Sequence, residues 1–217
     1  MSFWLMGVIK FKEDLERFGI YGRGITEVIS TTISKRGINA APIGLINKDL
    51  TYVEVFKERN QIGDLVQGKS KIFTCHTYEN LFKDGNIGIN VTYNPLFFVE
   101  SAFNDLKEED YFFLDDFPFL KDSHAIIKFE VDGITEEKHF CRFYLKFSWG
   151  KVLKREVIGI NRGFNLLLEL TILATRRRIT NRYDELYPFY SPIIKNCGDE
   201  RMIKALERLN KLADSSK

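Results

Sequence analysis

The stretch Glu27–Leu45 reads EVISTTISKRGINAAPIGL and predicts a β-hairpin. Its first half alternates apolar and polar residues before a Ser-Lys-Arg-Gly turn at residues 34–37, the pattern of a strand that ends in a turn. Beyond the turn, Asn39–Gly44 combines small side chains with Pro42, which has no N–H to donate to a β-ladder. This second strand is therefore predicted either to lie at a sheet edge or to let a flat ligand approach its backbone.

The strand patterns continue beyond this hairpin. Runs typical of strands occupy residues 51–56, 71–77 and 86–93. Thr77–Gly85 begins with a threonine suited to an N-cap and ends in Asp-Gly, so it predicts a short helix. Residues 125–131 and 139–149 flank Asp132-Gly133 and predict an antiparallel hairpin. Strands this closely spaced predict a compact barrel with one short helix inserted.

The C-terminal part changes character. Asn161–Arg178 has a capping asparagine, a long apolar body and a basic last turn, which together predict a helix. Gly198–Asp214 predicts a second, amphipathic helix, and Tyr187–Pro192 is predicted to connect the two. Strands followed by helices indicate an α+β protein, with a β-barrel domain at residues 1–158 and a helical domain at residues 159–217.

Composition narrows the class of protein. The 217 residues are 44% hydrophobic, which is enough for a sizeable core. Cys75, Cys141 and Cys197 are widely spaced, with neither a disulfide framework nor a zinc pattern, so no metal site and a reducing, cytoplasmic location are expected. The apolar N-terminal residues 3–6 are followed too soon by charge for a signal peptide or a membrane span.

Charge is unevenly distributed although the formal net charge is only +2. Residues 100–122 hold eight acidic and two basic residues among many aromatic ones, and this segment is predicted to be a packed, irregular connection. Residues 142–182 hold ten basic and two acidic residues. Arg176–Arg178 lies in a basic last turn, without the aromatic platform or motif of a nucleic-acid-binding protein. We therefore expect neither nucleic acid nor a membrane as a partner.

A first candidate site lies at the start of the short helix. His76, Thr77 and Asn80 occupy this region, where free N–H groups and the positive end of the helix dipole favour a phosphate group. A nearby cation, Arg59 or Lys71, would assist. An ordinary N-cap that holds no ligand explains the same residues, so both interpretations stay open here.

A second candidate is a charged stripe formed by Arg162, Glu169 and Arg176. A spacing of seven residues is nearly two helical turns, so the three charges fall on one side of an otherwise apolar helix. If that helix is buried, the charges must be paired. An ion network at a subunit or domain contact and a role in ligand binding are both compatible with the stripe.

A search for catalytic side chains gives no candidate, and the catalytic residues stay unknown. The three histidines have no serine or cysteine partner in a recognisable setting, and no paired carboxylates stand out. Glycine motifs for phosphate or dinucleotide binding are missing. If this protein is an enzyme, a cofactor carries the chemistry.

Several motifs together resemble a known family. They are Glu27–Leu45, Thr77–Leu81, Asn90–Thr92 with Asn94-Pro95, and the helix that runs through Glu169 to Ala174-Thr-Arg176. In this order they resemble an uncharacterised, mainly archaeal family of FMN-binding split-barrel proteins, domain of unknown function family 447. The similarity spans most of residues 24–210, although the segment 57–70 looks longer than the usual link in that family.

The resemblance implies an antiparallel split β-barrel of the flavin reductase-like and pyridoxamine-phosphate-oxidase-like type, with a C-terminal helical unit. It further implies a homodimer with FMN near the interface. The FMN-binding residues implied are Asn39, Ala40, Ala41, Pro42, Ile43, Gly44, His76, Thr77, Asn80, Asn90, and Arg59 or Lys71. Two functions follow as hypotheses: a flavin-dependent oxidoreductase with an unknown small-molecule substrate, or a non-catalytic flavin-binding or carrier module that acts through a protein partner.

Overall fold

The computed structural model describes residues 15–20, 23–59, 73–156 and 158–215. They form two compact units. The first takes the described residues up to Thr92 and Lys107–Arg155, and the second takes Tyr93–Leu106 and the described residues from Glu156 onward. Residues 93–106 thus group with the C-terminal helices although segments of the first unit flank them in sequence. A domain boundary at residues 158 and 159 stays a prediction.

Among its described residues, the first unit contains ten strands, one complete α-helix and a short 3-10 helix at Glu108–Asp110. The strands are β1 (Gly24–Ser34), β2 (Gly37–Asn47), β3 (Thr51–Phe56), β4 (Glu58–Arg59), β5 (Phe73–Thr74), β6 (Asn86–Val91), β7 (Tyr111–Leu114), β8 (Phe117–Leu120), β9 (Ala125–Glu136) and β10 (Phe140–Val152). The helix is α1 (His76–Asp84). Six strands close into an antiparallel barrel in the order β1-β2-β3-β10-β9-β6, which confirms the predicted fold class.

The β1–β2 hairpin forms one long wall of this barrel. It pairs without interruption from Gly24 opposite Asn47 to Ser34 opposite Gly37, and Gly37 adopts a positive φ of 111° after the two-residue turn. On its other edge, β2 pairs with β3 only over Leu45–Asn47. Within the described part of the chain, no strand therefore covers the other edge of residues 37–44, and the barrel is split there.

The barrel interior is filled by apolar side chains from every wall. Cys141, Phe143 and Leu145 of β10 are buried in the same cluster as Val28 of β1, as their alternation in the sequence predicts. Leu81 of α1 belongs to this cluster too. Helix α1 therefore contributes to the same core as the barrel strands.

Two predicted features of the barrel are wrong in detail. Asp132-Gly133 is not a turn, since β9 continues through it to Glu136, opposite Cys141 of β10. A register shift between Tyr144 and Leu145 leaves Asp132 of β9 without an opposite residue, and this irregularity lets the long strands stay paired. The predicted strand at residues 71–77 is only Phe73–Thr74 among its described residues, because the chain enters α1 at His76.

The segment 100–122 is more regular than predicted. It contains the end of a helix and a tight β7–β8 hairpin, whose turn residues Asp115 and Asp116 have φ values of 50° and 57°. Two positive φ values in a two-residue loop suit a hairpin turn, and aspartate tolerates this conformation better than most residues. The Thr31 hydroxyl donates to the Pro118 carbonyl at 2.7 Å, which ties this hairpin to β1.

The second unit is helical. Its described helices are α2 (Pro95–Phe103), α3 (Arg162–Thr175), α4 (Arg182–Cys197) and α5 (Glu200–Ser215). Asn161 caps α3, as predicted, by accepting a hydrogen bond from the Phe164 N–H at 3.2 Å. Its core combines Leu167 and Leu170 of α3 with Leu206 and Leu209 of α5.

Helix α4 replaces the connection predicted at residues 187–192. It contains Pro188 and Pro192, both exposed, and interior prolines cost about 3 kcal/mol each in a helix. Tyr183 and Ile194 of the same helix are buried in the core. Burial of these tertiary contacts overrides the local signal of the prolines, because packing supplies most of the stability of a helix in a protein.

One close contact in the barrel yields a stability test. A Cβ atom on Gly88 would lie 2.4 Å from Thr31 Oγ1 and 2.9 Å from each of the Phe117 and Phe119 rings. We expect Gly88→Ala to lower the free energy of unfolding by about 1–3 kcal/mol, as overpacking of cores does. Urea denaturation measures this change. The control is Gly24→Ala, whose new Cβ would meet nothing within 4 Å, and equal stability of the two variants would contradict the close packing at Gly88.

Candidate functional site

Helix α1 begins two residues earlier than the predicted N-cap at Thr77 implies. Its N-cap is Cys75, which makes no side-chain hydrogen bond to the first turn, and Thr77 is the second helical residue. The interpretation of Thr77 as N-cap is therefore wrong. The Cys75 N–H donates to the Lys57 carbonyl at 3.3 Å, and this bond helps to fix the extended backbone from which the helix starts. The first-turn N–H groups thus donate no hydrogen bond to an N-cap side chain.

Two amide–hydroxyl hydrogen bonds fasten α1 to the hairpin. The Asn39 Nδ2 group donates to Thr77 Oγ1 at 2.9 Å, and the Asn80 Nδ2 group donates to Thr32 Oγ1 at 2.9 Å. Thr32 and Asn39 lie opposite each other on β1 and β2, and Thr77 and Asn80 are neighbours on one side of the helix. Thr77 is only 2% exposed and Asn80 only 5%. The helix start is therefore held in a fixed position beside Asn39.

The open edge of β2 begins at the same place. Because the two-residue turn makes Ser34 and Gly37 a hydrogen-bonded pair, every second residue of β2 directs its backbone groups away from β1. These residues are Ala40, Pro42 and Gly44. Pro42 thus costs the β1–β2 ladder no hydrogen bond, which explains how a proline fits inside a fully paired hairpin. The Ser30 hydroxyl adds a bond to the Ala41 carbonyl at 3.0 Å.

Side-chain size is small along this edge. Ala40 is buried, and Ala41, Pro42, Ile43 and Gly44 are half-buried. The structure therefore brings together, within one unit, the backbone groups of Asn39–Gly44 and the start of α1, which the sequence separates by more than thirty residues.

Asn90 has an internal role in this structure. It is 0% exposed. Its Nδ2 group donates to the Ile29 carbonyl at 2.9 Å and to Thr31 Oγ1 at 3.2 Å, while its Oδ1 atom accepts from the Leu120 N–H at 2.8 Å. The amide therefore joins β1, β6 and β8, and these contacts account for it without a ligand. Asn90 as a cofactor contact stays a prediction.

The other predicted residues are less fully placed. His76 is the exposed first residue of α1. Arg59 ends β4, where its backbone lies opposite Phe73, and Lys71 lies outside the described residues. Which of these two cations would serve a phosphate group therefore stays a prediction.

Sequence reasoning missed Arg36 and Thr32. Arg36 of the hairpin turn forms an ion pair of 2.7 Å with Glu79 in the first turn of α1. Thr32 accepts the Asn80 amide. The turn signal placed Arg36 at the hairpin tip, but only the docking of α1 against the hairpin shows that this tip reaches the helix start.

The charged stripe of α3 lies on the surface of this chain. Arg162, Glu169 and Arg176 are all exposed, so water solvates them in this chain, and Arg176 is the C-cap residue instead of a helical one. A neighbouring residue, Arg177, takes the buried role. Its guanidinium, 8% exposed, pairs with Asp184 and lies 2.9 Å from Asp214.

Cysteine chemistry is not favoured at the one fully buried thiol. Cys141 is 0% exposed, and burial raises the pKa of its thiol above the ordinary value. A raised pKa keeps the thiol protonated at neutral pH, so it is a poor nucleophile. The three cysteines are free.

Two kinds of feature are missing from the described residues. They contain no group of three or more His, Cys, Asp and Glu side chains that is arranged to hold a metal ion. No helix in the same residues combines the length and the apolar character needed to cross a membrane.

Comparison with protein families gives two matches along the chain. A model described as the N-terminal domain of a protein of unknown function (DUF447) matches residues 26–154. A second model of a protein of unknown function (DUF447) matches residues 161–211. These matches confirm the family resemblance drawn from the motifs.

Two relatives cover most of the chain. An uncharacterised protein of Methanocaldococcus jannaschii is 29% identical over 160 residues, which are 70% of this chain and 74% of the relative. The crystal structure of an FMN-bound DUF447 protein from Methanosarcina mazei is 32% identical. The match covers 92% of this chain and all of that one, with a TM-score of 0.77.

The bonds between α1 and the hairpin can be tested by a double-mutant cycle. We expect Asn80→Ala and Thr32→Val to show a coupling energy of about 1 kcal/mol in urea unfolding, because each removes the same hydrogen bond. The control cycle combines Asn80→Ala with Ser148→Ala, since the Ser148 hydroxyl bonds Glu130 instead. Additive effects in both cycles would show that the Asn80–Thr32 bond does not stabilise the fold.

Proposed function

This chain belongs to the DUF447 family of proteins of unknown function, and we propose that it binds FMN. The observation that carries this proposal is the open backbone edge of Asn39–Gly44 beside the start of α1, whose N-cap offers no side-chain hydrogen bond. The relative from Methanosarcina mazei, similar over almost the whole chain, is an FMN-bound protein.

The open edge suits the flat ring of a flavin. An isoalloxazine carries hydrogen-bond donors and acceptors along its rim, and a strand edge offers the complementary N–H and C=O groups. The backbone groups of Ala40, Pro42 and Gly44 point to this edge, while their side chains are small. Such residues let a ring approach the main chain. We assign the isoalloxazine to Asn39–Gly44.

The start of α1 suits the phosphate of FMN. The first-turn N–H groups and the dipole favour an anion at this end of the helix. The Thr77 hydroxyl accepts from Asn39, and this leaves its own proton for donation to a phosphate oxygen. Asn39 thus orients Thr77, and Arg59 or Lys71 would supply positive charge. His76 and Asn80 complete the assignment, with Asn80 acting through its bond to Thr32.

For the reaction, we propose a flavin-dependent oxidoreductase with a substrate still to be identified. Bound FMN would supply the electron transfer. The chain would hold the ring against β2 and fix the phosphate, which orients the flavin. The lack of a recognisable catalytic set in the sequence is consistent with a cofactor that carries the chemistry. We further propose that the protein is a homodimer with FMN near the interface.

Thr77 gives a direct test of FMN binding. Thr77→Val removes the hydroxyl with little change in shape, so we expect the dissociation constant of FMN to rise about tenfold or more, the effect of one hydrogen bond to a charged group. Quenching of FMN fluorescence measures it. Thr175→Val is the matched control, because Thr175 is exposed on α3 and bonds its own helix at the Ile172 carbonyl.

Binding by the wild-type protein and binding by Thr77→Val test two different points, which are FMN binding itself and the contact of its phosphate with Thr77. A wild-type protein that is purified without flavin and does not quench FMN fluorescence would contradict the proposal that it binds FMN. If the wild-type protein binds FMN and Thr77→Val binds it equally well, the FMN phosphate does not contact the Thr77 hydroxyl.

The reaction class needs a second measurement. We expect NADH or NADPH to bleach the visible absorbance of protein-bound FMN under anaerobic conditions, and a candidate acceptor to restore it. Free FMN at the same concentration is the control for the uncatalysed reaction. Bound FMN that reacts no faster than free FMN, with either nucleotide and with chemical acceptors, would contradict the oxidoreductase. The function would then be that of a flavin-binding or carrier module that acts through a protein partner.

A further inference from the structure

The outer face of α3 carries charges at regular intervals along the helix axis. Arg162, Glu169 and Arg176 are exposed and seven residues apart, so successive charges are displaced by only about 20° around the helix axis. The opposite face of α3 is buried in the helical core through Leu167, Leu170 and Ala174. The stripe is thus the side of α3 that its own unit leaves uncovered.

Apolar side chains accompany these charges. Leu166, Leu168 and Ile172 of α3 are only half-buried. Ile172 lies on the stripe between Glu169 and Arg176, and Asn165 lies between Arg162 and Glu169. A helix face that mixes partly exposed aliphatic residues with ordered charges is suited to contact another helix.

The order of the charges determines which orientation of a second α3 helix is complementary to the stripe. The signs along the stripe are positive, negative and positive, so a parallel copy of α3 would place like charges at the same height. An antiparallel copy shifted by one heptad places Glu169 beside Arg176 of the partner subunit, and the two-fold axis makes this pair occur twice. The stripe is therefore complementary to itself in one relative orientation.

We infer that α3 packs antiparallel against α3 of a second copy of this chain, about a two-fold axis near Ile172. An axis near Asn165 would also pair opposite charges, through Arg162 and Glu169. That axis would desolvate a polar amide at the centre of the contact, whereas Ile172 places an aliphatic side chain there, as interface cores prefer. The inference rests on the proposed homodimer and does not require the flavin.

The neighbouring arginine does not compete for this contact. Arg177 is held by Asp184 and Asp214 and lies 4.8 Å from the Tyr183 ring centroid. Its guanidinium is therefore paired with carboxylates of its own helical unit. Glu169 and Arg176 are the charges that face outward at this end of α3.

A charge swap tests the contact. Glu169→Arg and Arg176→Glu each place like charges together twice, so we expect either to weaken the dimer by about tenfold or more in sedimentation equilibrium. Combining both substitutions restores opposite charges and is expected to restore the wild-type dissociation constant. Glu207→Arg and Lys211→Glu, at exposed positions of α5, are the charge-matched controls and should leave the constant unchanged.

Cross-linking locates the axis. Ile172→Cys should form a disulfide between two copies under mild oxidation, and mass spectrometry should identify the bond between the two introduced cysteines. Lys211→Cys and the wild-type chain control for exposed and native thiols. A dimer that neither swap affects and that Ile172→Cys does not cross-link would overturn the inference and leave the flavin proposal intact.

Two other results would contradict the α3 contact. A wild-type chain that stays monomeric at all concentrations would overturn both the homodimer and this contact. If Glu169→Arg and Arg176→Glu abolish FMN quenching while the dimer persists, the stripe contacts the ligand and the inference is wrong.

Discussion

Backbone N–H and C=O groups need partners, and along part of β2 no strand of the described chain supplies them on one edge. Among the described residues, this strand pairs only with β1 from Gly37 to Gly44, so the backbone groups on its other edge are available to water or to a ligand. Exposed strand edges also invite pairing with other chains. Pro42 and the small residues around it are compatible with an edge that stays open. The split in the described barrel and the proposed flavin site both depend on this edge.

Buried polar side chains fix the surroundings of that edge. Asn90 joins β1, β6 and β8, and Thr31 connects β1 to the β7–β8 hairpin. Asn39 and Asn80 do the same between the hairpin and α1. Buried networks of this kind stabilise a structure only when each member has its partner. They specify one position of the helix start relative to β2, and a cofactor that spans both elements needs that precision.

The helical unit contributes a different kind of constraint. Helix α3 buries one face in its own core and presents Arg162, Glu169 and Arg176 on the other. A surface ion pair contributes little to the stability of a monomer, so the regular spacing has no evident use within one chain. In a symmetric pair each contact occurs twice, and charge order then selects orientation. Under the two proposals, Asn39–Gly44 and the start of α1 bind the flavin, and α3 contacts a second copy of the chain.

Local signals in the sequence were sufficient for the β1–β2 hairpin, the half-buried face of β10 and the capped helix α3, because alternation, turn residues and capping act between near neighbours. They gave the wrong N-cap at Thr77, since the chain before α1 is held by a bond from Cys75 to Lys57. They also misplaced a turn at Asp132-Gly133 and missed α4, where burial of Tyr183 and Ile194 outweighs two prolines. The sequence by itself determined which strand of the hairpin is small and has a proline. Only the tertiary structure decided that this strand is open on one side, that Asn90 is internal and that the α3 stripe is exposed, because these properties depend on contacts between residues far apart in the chain.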